Sequence, residues 1–416
     1  MTLLTTPRLR TADSALRDRA LAVVPGGVYG HMTVLQQMPP SYPQFYSRGA
    51  GARVWDVDDN EYIDFMCAFG PMIAGYANPV IDAAAAAQQV KGDALAGPSR
   101  HFVELAELLV DTVAHADWAM FAKNGTDATS IAVVTARAET GRTKLLKARK
   151  AYHGANAWFT PNPAGVTAAD RADIIEFEYN DLASLEAAVA EAEGDVAAII
   201  VPPFRHDALY DQELATAEFA RGVRAIATRI GAAFILDEVR TGFRLDMAGA
   251  WEQFGVRPDM TAFSKGIANG YSLAAVVGGQ AYKEAAASIY VTGSFWMGGV
   301  AMAAAVATLT LLRDTNGIRT MNAAGSAFRT GLQSQAAAHG FGLVQTGPVV
   351  MPFMRFDDDA ELRQVFAFTD AAVRRGVLLH PWHNMFFSAA HTLDDVATAL
   401  ERTDEAFAET RSLFPL

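Results

Sequence analysis

The sequence predicts an α/β protein: a mostly parallel central sheet with helices on both faces, followed by a smaller α+β domain. Three observations carry this reading. Between roughly residues 120 and 280, short apolar runs alternate with amphipathic helical stretches. The runs are near-continuous in apolar residues, the pattern of strands covered on both faces. After roughly residue 311 the alternation gives way to a long helical segment and then to short strands mixed with helices.

The elements follow in chain order. RVWDVDDNEYIDF, residues 53–65, alternates apolar positions around Asp58-Asp59-Asn60 and predicts a hairpin. AAAAAQQ, 83–89, favours helix. KLLKA (144–148), DIIEFEY (173–179), VAAIIVPP (196–203), AAFILDE (232–238), MTAFSK (260–265) and LAAVVGG (273–279) read as strands. TDATSIAVVTARAETG (126–141), DLASLEAAVAEAEG (181–194) and ELATAEFARGVRAIATRIG (213–231) read as helices that end at glycine. The last sets Leu214, Phe219, Val223, Ile226 and Ile230 near one face. Strands joined by helices imply right-handed crossovers, with ligands bound outside the carboxyl ends of the strands. Further on, the segment from LLRDTNGIRTM to QAAAHG (311–340) is helical. Short strands follow around VVMPFMRF, then a helix, strands at GVLLHP and MFFSAAH, and a final helix. The expected division is 1–60 as a segment joining the small domain, 61–310 as the large domain and 311–416 as the C-terminal small domain.

Composition narrows the function. Half of the 416 residues are hydrophobic and 19% are charged, as in an ordinary globular protein. A net charge of −12 makes nucleic acid and anionic membrane poor partners. No apolar run is long enough to span a bilayer, and the first twenty residues lack a secretory pattern, so a cytoplasmic location is expected. A single cysteine, Cys67, excludes an internal disulfide and a cysteine-cluster metal site.

The chemistry begins at FILDEVRTGFR, residues 234–244. A buried apolar strand here ends in two acids, Asp237 and Glu238, and burying an unpaired carboxylate costs several kcal/mol. Either the acids mark the strand's exit into solvent, or one of them faces a cation. FSKGIANGY sets Lys265 at the end of another strand. Neighbouring strands lie about 4.8 Å apart, roughly the length of a pyridine ring. An acid and a lysine on adjacent strand tips can therefore hold opposite ends of pyridoxal phosphate, the acid keeping the ring nitrogen protonated and the lysine forming the imine. Spacing alone leaves the alternative of two unrelated surface loops. AKNGTDATS, 122–130, is a polar turn entering a helix, which suits a phosphate or is an ordinary N-cap. AYHGANAW, 151–158, offers Tyr152 or His153 as an aromatic cover, or a core aromatic beside a turn glycine.

Together NGTDAT, KLLKARKAYHG, ILDEVRTGFR, FSKGIANG and TGSFWMGGVAMAAAVATL resemble the class III aminotransferases in content and order, over roughly residues 20–405. Within that family the pattern is most similar to glutamate-1-semialdehyde 2,1-aminomutase. The resemblance implies a fold type I transferase dependent on pyridoxal 5'-phosphate, acting as a homodimer with active sites shared between subunits. It makes Lys265 the Schiff-base lysine and catalytic base, and Asp237 the partner of the pyridinium. It implies Val239 and Tyr152 on the two ring faces, and Asn124, Gly125 and Thr126 at the phosphate. Ser294 would reach the phosphate from the neighbouring subunit. The expected partners are a small-molecule amine or amino acid and a carbonyl acceptor.

Departures from the pattern bear on substrate. Asn124 replaces a serine of the usual cradle, and Pro202 stands where a glutamate is expected. Thr33, in GGVYGHMT, replaces an arginine that faces substrate in the aminomutase, and His383 replaces a glutamate. His31, Phe69 and His383 are the candidate substrate-pocket residues, with Trp296 and Trp382 adding apolar surface. His380 and His383 read as pocket histidines rather than metal ligands, and no metal is expected. Arg205 and His206 are either a carboxylate site or a solvated loop; Arg240 and Arg244 lie near the cofactor edge without an assigned role. The expected reaction is intermolecular amino transfer. An aminomutase, or a racemase drawing a second proton route from His31 or His383, remains an alternative, and a non-enzymatic binding protein is the reading from another class.

Overall fold

The computed structural model describes residues 10–33 and 38–415. They divide into two compact units: the residues up to Asn78 with those from Arg319 onward, and Pro79–Ile318.

The second unit is built on one sheet. Its strands are β1 (Trp118–Ala122), β2 (Lys144–Ala148), β3 (Ile174–Phe177), β4 (Val196–Val201), β5 (Ala233–Asp237), β6 (Met260–Phe263) and β7 (Ala274–Gly278). Their spatial order is β1-β7-β6-β5-β4-β2-β3. The pairs from β6 through β5, β4 and β2 to β3 are parallel, whereas β7 runs antiparallel to both β6 and β1. The helices α1 (Gly125–Thr140), α2 (Leu182–Glu191) and α3 (Ala217–Ile230) follow β1, β3 and β4.

Side chains alternate across the sheet, as the strand period requires. Leu146, Ile199, Val201, Phe234 and Leu236 pack on one face with residues of α2 and α3. Leu145, Ala198, Ile200, Ala233 and Ile235 pack on the other with residues of α1. Local signals start each helix. The Asn124 and Thr216 side chains accept from Asp127 N and Phe219 N, and Asp181 accepts from Ser184 N. The α3 start corrects the sequence reading. Thr216 caps the helix, so Leu214 lies outside it, in a two-residue strand opposite Phe204. Phe219, Val223 and Ile226 are buried, with Ile230 packed beside them.

In the first unit, strands Tyr46–Ala50, Arg53–Asp56 and Glu61–Asp64 form an antiparallel meander, and Val377–Leu378 adds to the last in parallel. The hairpin turn is set by Asp56, whose carboxylate accepts from Asp58 N, Asn60 N and the Asn60 amide, while Asp59 takes a positive φ of 62°. MFFSAAH, expected as a strand, is irregular. Its amides at Phe386 and Phe387 bond to Phe65 O and Val350 O. Among the described residues no helix is long and apolar enough to cross a membrane.

Candidate active site

The two acids that end β5 meet different fates because the strand period sends them to opposite faces. Asp237 follows Ala233 and Ile235 toward the α1 side. It is 6% exposed; one oxygen accepts from Val239 N at 3.0 Å, and the other lies 2.6 Å from His153 Nδ1. Glu238 follows Phe234 and Leu236 to the other face, where it is 1% exposed and accepts from Ala250 N at 2.9 Å. Burial, together with the nearby charges of Asp246 and Asp237, pushes its carboxyl up to about 8, against the pull of the Ala250 amide. At neutral pH Glu238 is therefore mostly protonated.

Next to β5 runs β6, with Asp237 in register with Ala262. The strand ends at Phe263, so Lys265 sits two residues beyond it, as the first residue of a 3-10 turn, Lys265–Ala268. Its φ of 46° is a left-handed conformation that side chains usually avoid; such strain collects at functional sites. Burial pushes the Lys265 amine down to about 7, aided by the guanidinium groups of Arg240 and Arg244 and opposed by Asp237. The two arginines differ in cover, Arg240 being half-buried. Arg244 is 0% exposed, and burial lowers Arg240 to about 10 while one of its Nη atoms donates to the His206 carbonyl at 3.2 Å.

The turn from β1 into α1 closes against the same place. A Cβ on Gly125 would stand 2.5 Å from Val239 Cγ1, so only glycine admits this approach. Asn124 and Asp127 form a reciprocal capping box. A helix start leaves its first-turn amides without intrahelical acceptors, and the dipole there favours an anion. Thr126 Oγ1 accepts from Ala155 N at 3.0 Å. A Cβ on Gly154 (φ 127°) would lie 2.9 Å from that oxygen. This packing fixes the 151–155 loop, burying His153 while Tyr152 stays 46% exposed. Burial raises the Tyr152 phenol, with Arg240 opposing and Asp237 adding.

The second unit thus brings together Asp237, Val239, Gly125 and Thr126, with Lys265 and Tyr152 in the electrostatic reach of Asp237. Ser294 lies apart from them, exposed in a turn. Phe69 and His383 belong to the first unit, where their rings meet edge to face at 5.3 Å and His380 stands 5.6 Å from His383. The His31 side chain lies outside the described residues. Arg205 is engaged by Asp207 at 2.8 Å and Glu213 at 3.7 Å. Among the described residues no group of histidines, cysteines and carboxylates could hold a metal ion. Sequence reasoning missed His153 as the partner of Asp237 and Glu238 as a neutral buried acid. The alternation that separates the two acids was legible in principle; the His153 contact, 84 residues distant in sequence, was not.

These residues fit pyridoxal phosphate. They provide a fixed buried carboxylate, an amine that is easily neutral, a helix start where a Cβ would clash, and an open aromatic ring. Comparison with known proteins agrees. The family described as Aminotransferase class-III matches residues 36–407. An aminopentol aminotransferase of Sphingopyxis macrogoltabida is 49% identical over 397 residues, covering 95% of this chain and 94% of the relative. A glutamate-1-semialdehyde 2,1-aminomutase of Desulfitobacterium hafniense is more distant, 31% identical over 92% of this chain and 95% of its own. The FumI protein of Sphingopyxis sp. MTA144, solved in its PLP internal aldimine form, is 48% identical with a TM-score of 0.96 over 98% of both chains. The chain is a pyridoxal-phosphate enzyme that transfers amino groups between amines and carbonyl acceptors, and it belongs to the class III aminotransferase family.

Proposed function

We propose that this aminotransferase holds its cofactor on Lys265, sets Asp237 against the ring nitrogen, and takes as donor a hydroxyl-bearing amine without a carboxylate rather than glutamate-1-semialdehyde. The observation that carries the first part is the parallel pairing of β5 with β6, which sets Asp237 at the end of one strand beside the turn that follows the other and begins at Lys265. Bound pyridoxal phosphate supplies the carbonyl that takes the amino group and a ring that spreads the charge left on the substrate carbon. Lys265 Nζ, lowered to about 7, is readily neutral and can take the substrate proton and return it. Asp237, held by Val239 N and His153, supplies a preorganised negative charge. Asn124, Gly125 and Thr126 would hold the phosphate, and Val239 and Tyr152 would flank the ring.

Two arguments support the donor class. By the sequence resemblance, Thr33 and His383 fall where the aminomutases carry an arginine and a glutamate, so a carboxylate-bearing substrate loses its partners. The relative at 49% identity is named for an aminopentol, an amine with several hydroxyls.

A cytoplasmic homodimer completes the proposal. Asp93 accepts from Gly299 N and Val300 N, which ties the loop before Gly299 to the loop around Asp93. Those two loops expose Val90, Leu95, Tyr290, Phe295 and Met297. Exposed apolar side chains grouped this way suit burial against a second copy, which would present Ser294 to its neighbour's phosphate.

The test is a comparison of specificity constants for aliphatic amino alcohols, plain amines, amino acids and the semialdehyde, with a 2-oxo acid as acceptor. The proposal predicts the amino alcohols to lead. If the semialdehyde is the best substrate and 5-aminolevulinate the product, the donor reading is wrong.

A further inference from the structure

The chain that leaves β4 crosses the sheet edge where the cofactor residues gather. β4 pairs in parallel with β5, Val201 in register with Leu236, so the residues after Val201 leave the sheet at the same edge as Asp237. Backbone contacts then fix their course. Pro202 O accepts from the Tyr179 hydroxyl at 3.1 Å, and Pro203 O accepts from Trp251 Nε1 at 2.9 Å. Phe204 and Arg205 pair with Leu214 and Glu213, which closes residues 206–212 into a loop. His206 opens that loop, and its carbonyl accepts from the Arg240 guanidinium at 3.2 Å. Phe204, 1% exposed, stands edge-on to the imidazole at 5.2 Å.

The backbone of His206 is thus held on both sides, whereas its ring is left for another partner. The residue is half-buried, no other described residue hydrogen-bonds the ring nitrogens, and neither nitrogen is sealed inside the protein. His153 contrasts with it, since Asp237 engages its Nδ1 and its Nε2 is sealed. Burial holds the His206 imidazole well below the usual histidine range, and the charges of Arg240, His153 and Lys265 push the same way. The ring is therefore neutral at neutral pH and within the electrostatic reach of Lys265. A neutral imidazole offers one N–H donor and one acceptor, which suits a hydroxyl better than an anion. Of the two readings the sequence left for Arg205 and His206, the carboxylate site falls away. Arg205 is taken by Asp207 and Glu213, and His206 carries no charge to add.

We propose that His206 determines specificity by hydrogen-bonding a donor hydroxyl on the carbon next to the amino carbon. The amino carbon must come to Lys265 Nζ to give up its proton. Of the donor's hydroxyls, the adjacent one then lies nearest to a ring in that lysine's reach. The inference deepens the donor class proposed above and rests on it.

1-Aminopentan-2-ol and pentan-1-amine share their length and their amine and differ in that hydroxyl. Their specificity constants, measured on the holoenzyme with a 2-oxo acid acceptor, give a ratio that does not depend on how much of a variant is folded. The wild type is expected to favour the alcohol about 5-fold, the worth of one neutral hydrogen bond. H206F keeps a flat ring without donor or acceptor and should erase the preference. H206Q keeps both and should retain a preference. 5-Aminopentan-1-ol carries its hydroxyl at the far end, and its ratio to pentan-1-amine should respond to neither substitution. An H206F protein that keeps the preference for 1-aminopentan-2-ol overturns the role of His206 and leaves the donor proposal standing. A wild type that prefers no hydroxylated amine overturns both.

Discussion

Glu238→Gln tests the claim that the second acid of β5 is a neutral residue of the core. The Glu238 carboxyl is raised from 4.5 to about 8 by burial and by the charges of Asp246 and Asp237. A carboxyl whose pKa is higher in the folded protein binds its proton more tightly there. Its contribution to stability is full below 4.5 and is lost as pH rises through about 8. A shift of about 3.5 units, at about 1.4 kcal/mol each, sets the loss on the order of 5 kcal/mol. Glutamine mimics the protonated acid and keeps an acceptor for Ala250 N, so the variant should not show this loss. With an unfolding entropy of about 2.1 cal/mol/K per residue over 416 residues, the difference is worth about 6 °C in Tm. Thermal unfolding of both holoenzymes from about pH 5 to about pH 9 makes the measurement. E238Q should gain on the wild type as pH rises. Parallel Tm curves would refute the reasoning.

Three other outcomes follow from the same geometry. Asp237→Asn should leave the fold and Tm nearly unchanged but lower kcat at least ~10²-fold, the scale of a lost preorganised charge; near-normal single-turnover rates would remove Asp237 from its role. Gly125→Ala would set a Cβ 2.5 Å from Val239 Cγ1, an overpacking that costs about 1–3 kcal/mol and should show as weaker cofactor binding in a titration of the cofactor-free protein. Because the Lys265 amine is lowered to about 7, the rate of cofactor uptake by the cofactor-free protein should rise through about pH 7 and level off above it; a rise only near the ordinary lysine value would contradict the account.

Much of the large unit was legible because its rules are local. Apolar runs bounded by glycine-terminated helices place β2 to β6 and α1 to α3, and the parallel crossovers put Asp237 and the lysine loop on adjacent strand ends. The failures have physical causes. Leu214 continues the helical period in sequence, yet a capping threonine two residues later starts the helix instead. LAAVVGG reads as one more buried strand, and nothing in its composition shows that β7 runs antiparallel to its neighbours. Arg240 and Arg244 are charged residues, which default to solvent, and only the assembled site shows Arg244 buried, Arg240 half-buried, and both acting on Lys265. The left-handed turn at Cys67-Ala68-Phe69 has no sequence signal, since none of the three is a residue that favours positive φ.

The central claim is that Lys265, of all the lysines, carries the cofactor. Reduction of the purified holoenzyme with borohydride, followed by peptide mass spectrometry, reads this directly. The account predicts the reduced cofactor mass on the peptide containing Lys265, and its complete absence in Lys265→Ala along with multiple turnover. The mass on another lysine, such as Lys123 or Lys147, or wild-type-like turnover by Lys265→Ala without added amine, would contradict it.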